Sequence, residues 1–164
     1  MTGPEFDPLR ALAVLQTKGA RFVVIGGFAA ALRGSPLITG DLDICYARDD
    51  ANLEAVAAAL RELNATLRGA PPDLPFKLDA TSLRNGDQFT FSTAAGSVDL
   101  LGAPAGTSGF ADLNRDATDE EVDGLKIRVA SLDDLIRMKD AAGRAKDRLG
   151  LEWLAALKEE LDQG

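Results

Sequence analysis

Hydrophobic and polar positions follow two periods along this chain, and together they predict an α/β fold. In residues 6–19 and 50–63 the apolar side chains recur at helical spacing. Residues 21–25 are a continuous apolar, β-branched run, and residues 41–46 alternate, which indicates strands. A short helical pattern at 28–33 connects these two strands. Early alternation of strands and helices favours a mixed β-sheet flanked by helices.

Shorter elements separated by glycine and proline follow in the second half of the chain. Strands are predicted near 76–79 and at 88–92, 97–101 and 125–129, and Gly96 makes the turn between the middle two. Glycine- and proline-rich loops are expected at 69–75 and 102–109.

The chain is predicted to end in helices. Ser131 should cap the first, with Asp134 as an acidic stand-in for the glutamate of a capping box, and the last should span about 145–161. We expect one domain over residues 1–164, with a core at about 20–130 and a C-terminal helical segment at 131–164.

Composition restricts the chemistry available to this chain. It contains no histidine, which excludes Ser-His-Asp and Cys-His catalysis and histidine-ligated zinc. Its single cysteine, Cys45, cannot form an intramolecular disulfide and is expected to be a small core residue. Chemistry must therefore use carboxylates, lysine, arginine, hydroxyl side chains and backbone groups.

The formal net charge of −8 argues against a broad nucleic-acid surface, because such surfaces need clustered cations. It is compatible with a nucleic acid held at one end, and with an enzyme that gathers divalent cations. The sequence shows neither a signal-peptide pattern nor an apolar run of the roughly 20 residues that a membrane span needs. We expect a cytoplasmic protein without membrane contact.

Three aspartates are the main candidates for chemistry. Asp41 and Asp43 are two residues apart on a predicted strand, so both carboxylates project from one face, where a hard divalent cation would relieve their repulsion. Asp99 lies in an otherwise apolar strand, where an unpaired buried carboxylate is costly. If the two strands are neighbours, the acids could hold two Mg²⁺ (or Mn²⁺) ions roughly 3.5–4 Å apart. Alternatively, Asp41 and Asp43 lie on an ordinary surface strand and Asp99 faces solvent at a sheet edge.

A glycine pair follows the first predicted strand. Gly26 and Gly27 would let the backbone approach a phosphate at the start of the following helix. Such pairs also mark tight turns or close helix packing. The 13 residues between Gly27 and Asp41 leave room for a short helix and a return to the neighbouring strand.

These motifs resemble those of a known superfamily. The order Gly26-Gly27, short helix, Gly34-Ser35, Thr39, Asp41-Leu42-Asp43 and a later Asp99 is similar to the polymerase-beta-type nucleotidyltransferase superfamily. The C-terminal stretch, with Ser131 to Ile136, Lys139 and Ala142-Gly143-Arg144-Ala145-Lys146-Asp147, resembles small bacterial nucleotidyltransferase-like proteins related to AbiEii-type and MenT-type toxins. The resemblance spans roughly residues 20–155 and implies a minimal nucleotidyltransferase fold.

The resemblance also implies roles for individual residues. Asp41, Asp43 and Asp99 would ligate the metals, and Asp99 could help to deprotonate the acceptor hydroxyl. Gly27 and Ser35 would contact the triphosphate of an NTP. The full nucleotide-binding set implied by the resemblance is Gly26, Gly27, Ser35, Thr39, Lys139, Arg144 and Asp147. The cations Lys139, Arg144 and Lys146 could instead be solvated helix residues.

Three positions depart from the superfamily pattern: Leu37, Arg33 where several relatives carry histidine, and Gly27 where serine is common. Relatives commonly carry arginine two positions before Thr39, where this chain has Leu37, so Arg33 or Arg84 would have to bind the phosphates instead.

Two functions remain open at this stage. The first is transfer of an NMP from an NTP to a hydroxyl of a tRNA 3′ end, a protein or a small molecule, including action as a toxin with an antitoxin partner. The second is a degenerate module that binds a nucleotide or a partner. Leu37 favours the second function, and the intact aspartate set favours the first. The oligomeric state is open.

Overall fold

The computed structural model describes residues 5–71, 73–143 and 145–163, and the side chains of residues 145–151 and 153 lie outside this description. The elements, in chain order, are α1 (Pro8–Thr17), β1 (Phe22–Ile25), α2 (Gly26–Leu32), β2 (Asp41–Tyr46), α3 (Asp50–Glu62), β3 (Thr66–Leu67), α4 (Ala80–Arg84), β4 (Gln88–Thr93), β5 (Gly96–Leu101), α5 (Phe110–Asp116), β6 (Thr118–Val122), β7 (Leu125–Val129), α6 (Leu132–Ala142) and α7 (Ala145–Gln163).

The strands of the described residues form a seven-stranded mixed sheet in the order β3-β4-β5-β2-β1-β7-β6. Strand β2 pairs with β5 in parallel and β1 pairs with β7 in parallel, whereas the other pairs are antiparallel. Helices flank the sheet, which confirms the predicted α/β class and mixed sheet. No helix within the described ranges is both long and apolar enough to cross a membrane.

The two central strands have the burial expected from their patterns. All four residues of β1 are buried, because β1 lies between β2 and β7. In β2, Leu42 and Ile44 are fully buried, whereas Asp41 and Asp43 project from the opposite face and keep some exposure. Cys45 is buried in the same strand, and burial raises the pKa of its thiol to about 12. It is a core residue, as the sequence indicated.

One predicted strand is wrong, and four elements were not predicted. Residues 76–79 have no regular structure, because Asp79 instead caps α4 by accepting a hydrogen bond from the Ser82 amide (2.8 Å). Phe76 and Leu78 supply the apolar signal by packing on the core without joining the sheet. The unpredicted elements, β3, α4, α5 and β6, are short or polar.

A buried asparagine fixes the ends of β1 and β2 against α3. The Asn52 side chain accepts from the Arg21 amide (2.6 Å) and donates to the carbonyls of Arg21 (3.0 Å) and Ala47 (2.6 Å). It is 3% exposed, so these backbone groups have little access to water as an alternative partner.

We expect Asn52→Leu to lower the free energy of unfolding by roughly 2–4 kcal/mol, because it leaves buried backbone groups unpaired. Urea unfolding would measure the change, with Asn85→Leu, at the exposed end of α4, as the control. Equal stability of Asn52→Leu and wild type would contradict this account of the junction.

Candidate active site

The three aspartates meet because β2 and β5 are parallel neighbours. Their register places Asp43 opposite Asp99 and Asp41 opposite Ser97. Strand β4 continues the row, with Thr90 opposite Asp99. Asp41 and Asp43 share one face of β2, and the parallel register places that face beside Asp99.

The glycine pair is required by contacts within the chain. Gly26 has φ +71°, and a Cβ there would lie 2.1 Å from Asp43 Oδ2. A Cβ on Gly27 would lie 2.8 Å from the side chain of Thr39. Glycine at both positions thus lets the start of α2 pack against the acids and against the loop that precedes β2.

A cleft of about 560 Å³ opens beside the carboxylates, within the usual size range of small-molecule sites. Most of the residues expected in the site line it: Gly26, Gly27, Ser35, Thr39, Asp41, Asp43 and Lys139. Asp99 is not among the lining residues, although the strand register places it opposite Asp43, which is. Arg144 falls outside the described residues, and so does the side chain of Asp147, so their expected roles stay predictions.

Burial and mutual repulsion determine where a proton resides among the acids. Burial, followed by the charge and hydrogen bond of Asp99 and the charge of Asp41, raises the pKa of Asp43 to about 7, and the charge of Lys139 opposes the rise. Burial also raises the pKa of Asp99, whereas the adjacent Arg68 lowers it. Below about pH 7, Asp43 is therefore the proton donor in its hydrogen bond with Asp99.

The acids fit a divalent cation by their chemistry. Asp43 Oδ1 is buried and has no hydrogen-bond partner among the described residues. A buried carboxylate oxygen without a donor, beside two further carboxylates, is a suitable ligand for Mg²⁺ or Mn²⁺. No three acidic, cysteine or histidine side chains of the described ranges already stand as a preformed metal-binding group.

Arg68 is a site residue that the sequence did not reveal. Its Nη2 donates to Asp99 Oδ1 (2.8 Å), and its Nη1 lies 3.5 Å from Asp41 Oδ1. Its amide donates to the carbonyl of Thr90 (2.9 Å), which places Arg68 in the same row of the sheet as Asp99. The residue follows a two-residue strand, so only the sheet register could have indicated its position.

The two arginines considered as replacements for a phosphate-binding residue are engaged elsewhere. Arg33 pairs with Glu120 (2.8 Å) and donates to the Val129 carbonyl (3.0 Å) and the Ala130 carbonyl. Arg84 pairs with Asp50 (2.6 Å) at the end of α4. Neither side chain lines the cleft. The interpretation that Arg33 or Arg84 replaces the missing arginine at Leu37 is therefore not supported by this geometry.

Comparison with known proteins identifies the fold. No protein-family model matches the sequence, and no curated protein matches it. The lincosamide antibiotic adenylyltransferase LnuA, solved with lincomycin bound, is similar with a TM-score of 0.61 and 12% identity over 91% of this chain and 94% of that chain. ANT(2'')-Ia in complex with adenylyl-2''-tobramycin gives 0.57 and 13%, over 94% of this chain and 88% of that chain.

A candidate nucleotidyltransferase from Thermotoga maritima is also similar, with a TM-score of 0.53 and 20% identity over 95% of this chain and 93% of that chain. Identities this low carry the fold alone. The chain has the nucleotidyltransferase fold that its motifs implied.

The Gly26–Asp43 contact gives a first test of the site. Gly26→Ala should lower the free energy of unfolding by about 1–3 kcal/mol more than Gly19→Ala, because the new methyl group displaces the Asp43 carboxylate. Gly19 is the matched control, since its φ of +81° carries similar backbone strain but a Cβ there meets nothing within 4 Å. Equal losses in urea unfolding would show that Asp43 does not depend on this close contact.

The raised pKa of Asp43 predicts a pH-dependent stability in metal-free protein. The folded carboxyl holds its proton up to about pH 7, whereas the unfolded carboxyl loses it near the ordinary aspartate pKa of 3.8. This contribution to stability therefore decreases as pH rises between those values. Asp43→Asn should therefore melt above wild type at pH 8, and this advantage should shrink at pH 5. Thermal unfolding in EDTA would measure it, with exposed Glu54→Gln as the control. A gain that is equal at both pH values would contradict the assignment.

Proposed function

We propose that this chain is a metal-dependent nucleotidyltransferase that moves an NMP from an NTP to a hydroxyl acceptor. The observation that carries the proposal is the convergence of Asp41, Asp43 and Asp99 on two parallel strands beside a cleft, in a chain with the nucleotidyltransferase fold. The orphaned Asp43 Oδ1 supports a cation at this point.

The residues divide the work of in-line transfer. Asp41, Asp43 and Asp99 would hold Mg²⁺, which when bound neutralises charge on the reacting phosphate. The oxygen of the acceptor hydroxyl forms a bond to the α-phosphorus, and Asp99 accepts the proton of that hydroxyl. The bond between the α-phosphorus and the α–β bridging oxygen breaks, and pyrophosphate leaves. Gly27, Ser35 and Lys139, which line the same cleft, contact the triphosphate.

A small molecule is the acceptor that the observations favour. Two of the structural neighbours were solved with lincomycin or adenylyl-2''-tobramycin. The cleft has a volume suited to small ligands, and the net charge of −8 disfavours a long nucleic-acid track. Transfer to a tRNA 3′ end or a protein, as in a toxin of the AbiEii or MenT kind held by an antitoxin, remains the alternative acceptor class.

A nucleotide-binding module without turnover is the second candidate. Leu37 lines the cleft where relatives carry arginine, and Arg33 and Arg84 are engaged elsewhere. None of these three positions therefore supplies a cation to the described lining of the cleft. Binding of an NTP without release of pyrophosphate would establish this alternative.

A label-transfer assay tests the proposal. The protein is incubated with each α-labelled NTP and Mg²⁺ or Mn²⁺, together with lincosamides, aminoglycosides, total tRNA or a protein extract. We expect label in a small-molecule product and release of pyrophosphate. Asp43→Asn should reduce transfer at least about a hundredfold, because it removes a metal ligand.

The control for this assay is Glu54→Gln, a charge change of the same kind on the exposed side of α3. It should transfer label as wild type does. Transfer by Asp43→Asn at the wild-type rate would exclude the proposed site, and label in tRNA or protein alone would replace the small-molecule acceptor by the alternative class.

A further inference from the structure

A positively charged side chain, Arg68, already lies against the acids of the candidate site. Arg68 contacts one oxygen of Asp99 (2.8 Å) and approaches one oxygen of Asp41 (3.5 Å). The same guanidinium therefore spans two of the three carboxylates proposed to bind metal. Asp43, the third, is hydrogen-bonded to Asp99, and its Oδ1 has no partner among the residues that the structure describes.

The contact is built into the sheet. Strand register runs from Asp43 to Asp99 and on to Thr90, and the backbone of Arg68 bonds to Thr90. The guanidinium thus reaches back across one strand to its partners. The side chain of Asp99 is 20% exposed and that of Arg68 is 35% exposed, so water screens this pair less than it screens a surface ion pair.

A guanidinium and a divalent cation need the same oxygen lone pairs. Mg²⁺ and Mn²⁺ require close carboxylate ligands and tolerate little positive charge nearby. Arg68 lies against the Oδ1 atoms of Asp41 and Asp99, so these two oxygens are less available to a metal ion.

We propose that Arg68 is a resident counter-ion of the carboxylate site, and that a divalent cation must displace its guanidinium from Asp41 and Asp99 to bind. The inference rests on the proposed metal-dependent function. It couples metal entry to nucleotide binding: a metal alone competes poorly with Arg68, whereas a metal that brings phosphate oxygens as additional ligands competes well.

Manganese binding measured by electron paramagnetic resonance tests this competition, with Mn²⁺ alone and with Mn²⁺ plus α,β-methylene-ATP. Arg68→Met keeps the apolar stem and removes the charge, and Arg68→Lys keeps the charge. Arg84→Met is the matched control, because Arg84 forms a similar ion pair with Asp50 outside the cleft (2.6 Å).

We expect Arg68→Met to bind Mn²⁺ alone at least about tenfold more tightly than wild type. Arg68→Lys and Arg84→Met should remain near wild type. The gain in Mn²⁺ affinity on adding the nucleotide analogue should be large in wild type and small in Arg68→Met. Melting temperatures should agree, with a larger Mn²⁺-induced rise for Arg68→Met than for Arg84→Met, which also establishes that the variant folds.

Two outcomes would overturn the inference, and they are distinguishable. If wild type binds Mn²⁺ with the nucleotide analogue and Arg68→Met binds Mn²⁺ alone no more tightly than wild type, Arg68 does not compete and the proposed function stands. If neither protein binds Mn²⁺ with or without the analogue, the carboxylates are not a metal site, and the proposed function fails together with the inference.

Discussion

The parallel pairing of β2 with β5 is the constraint on which the site depends. It sets Asp43 beside Asp99 at one level of the sheet, while Leu42 and Ile44 on the other face hold the strand in the core. Burial of those apolar residues stabilises a strand that also carries two carboxylates. The free energy gained by burying these apolar side chains thus offsets the repulsion between the neighbouring carboxylates.

The surroundings of the acids answer this charge problem in three ways. Gly26 gives the Asp43 carboxylate room, a shared proton removes one negative charge below about pH 7, and Arg68 supplies a positive charge. Each device operates without a bound ion.

Much of this could be predicted from sequence, because the informative patterns are local. The two-residue spacing of Asp41 and Asp43 and the apolar run around Asp99 fix which face each side chain occupies. Arg68 could not be predicted, since its place depends on register across β3, β4 and β5. Strand β6 was not predicted because its residues are polar, as suits an exposed edge strand. The strand predicted at 76–79 was wrong because Phe76 packs on the core from a loop.

The attachment of Arg33 has a consequence for the far edge of the sheet. Helix α2 begins at the glycine pair and is followed by Arg33, whose guanidinium is fastened to Glu120 on β6 and to the end of β7. Helix α2 has only seven residues, so these two contacts lie at opposite ends of a short element. Arg33 therefore joins the edge hairpin β6–β7 directly to the end of a helix whose first residue, Gly26, lies against the Asp43 carboxylate.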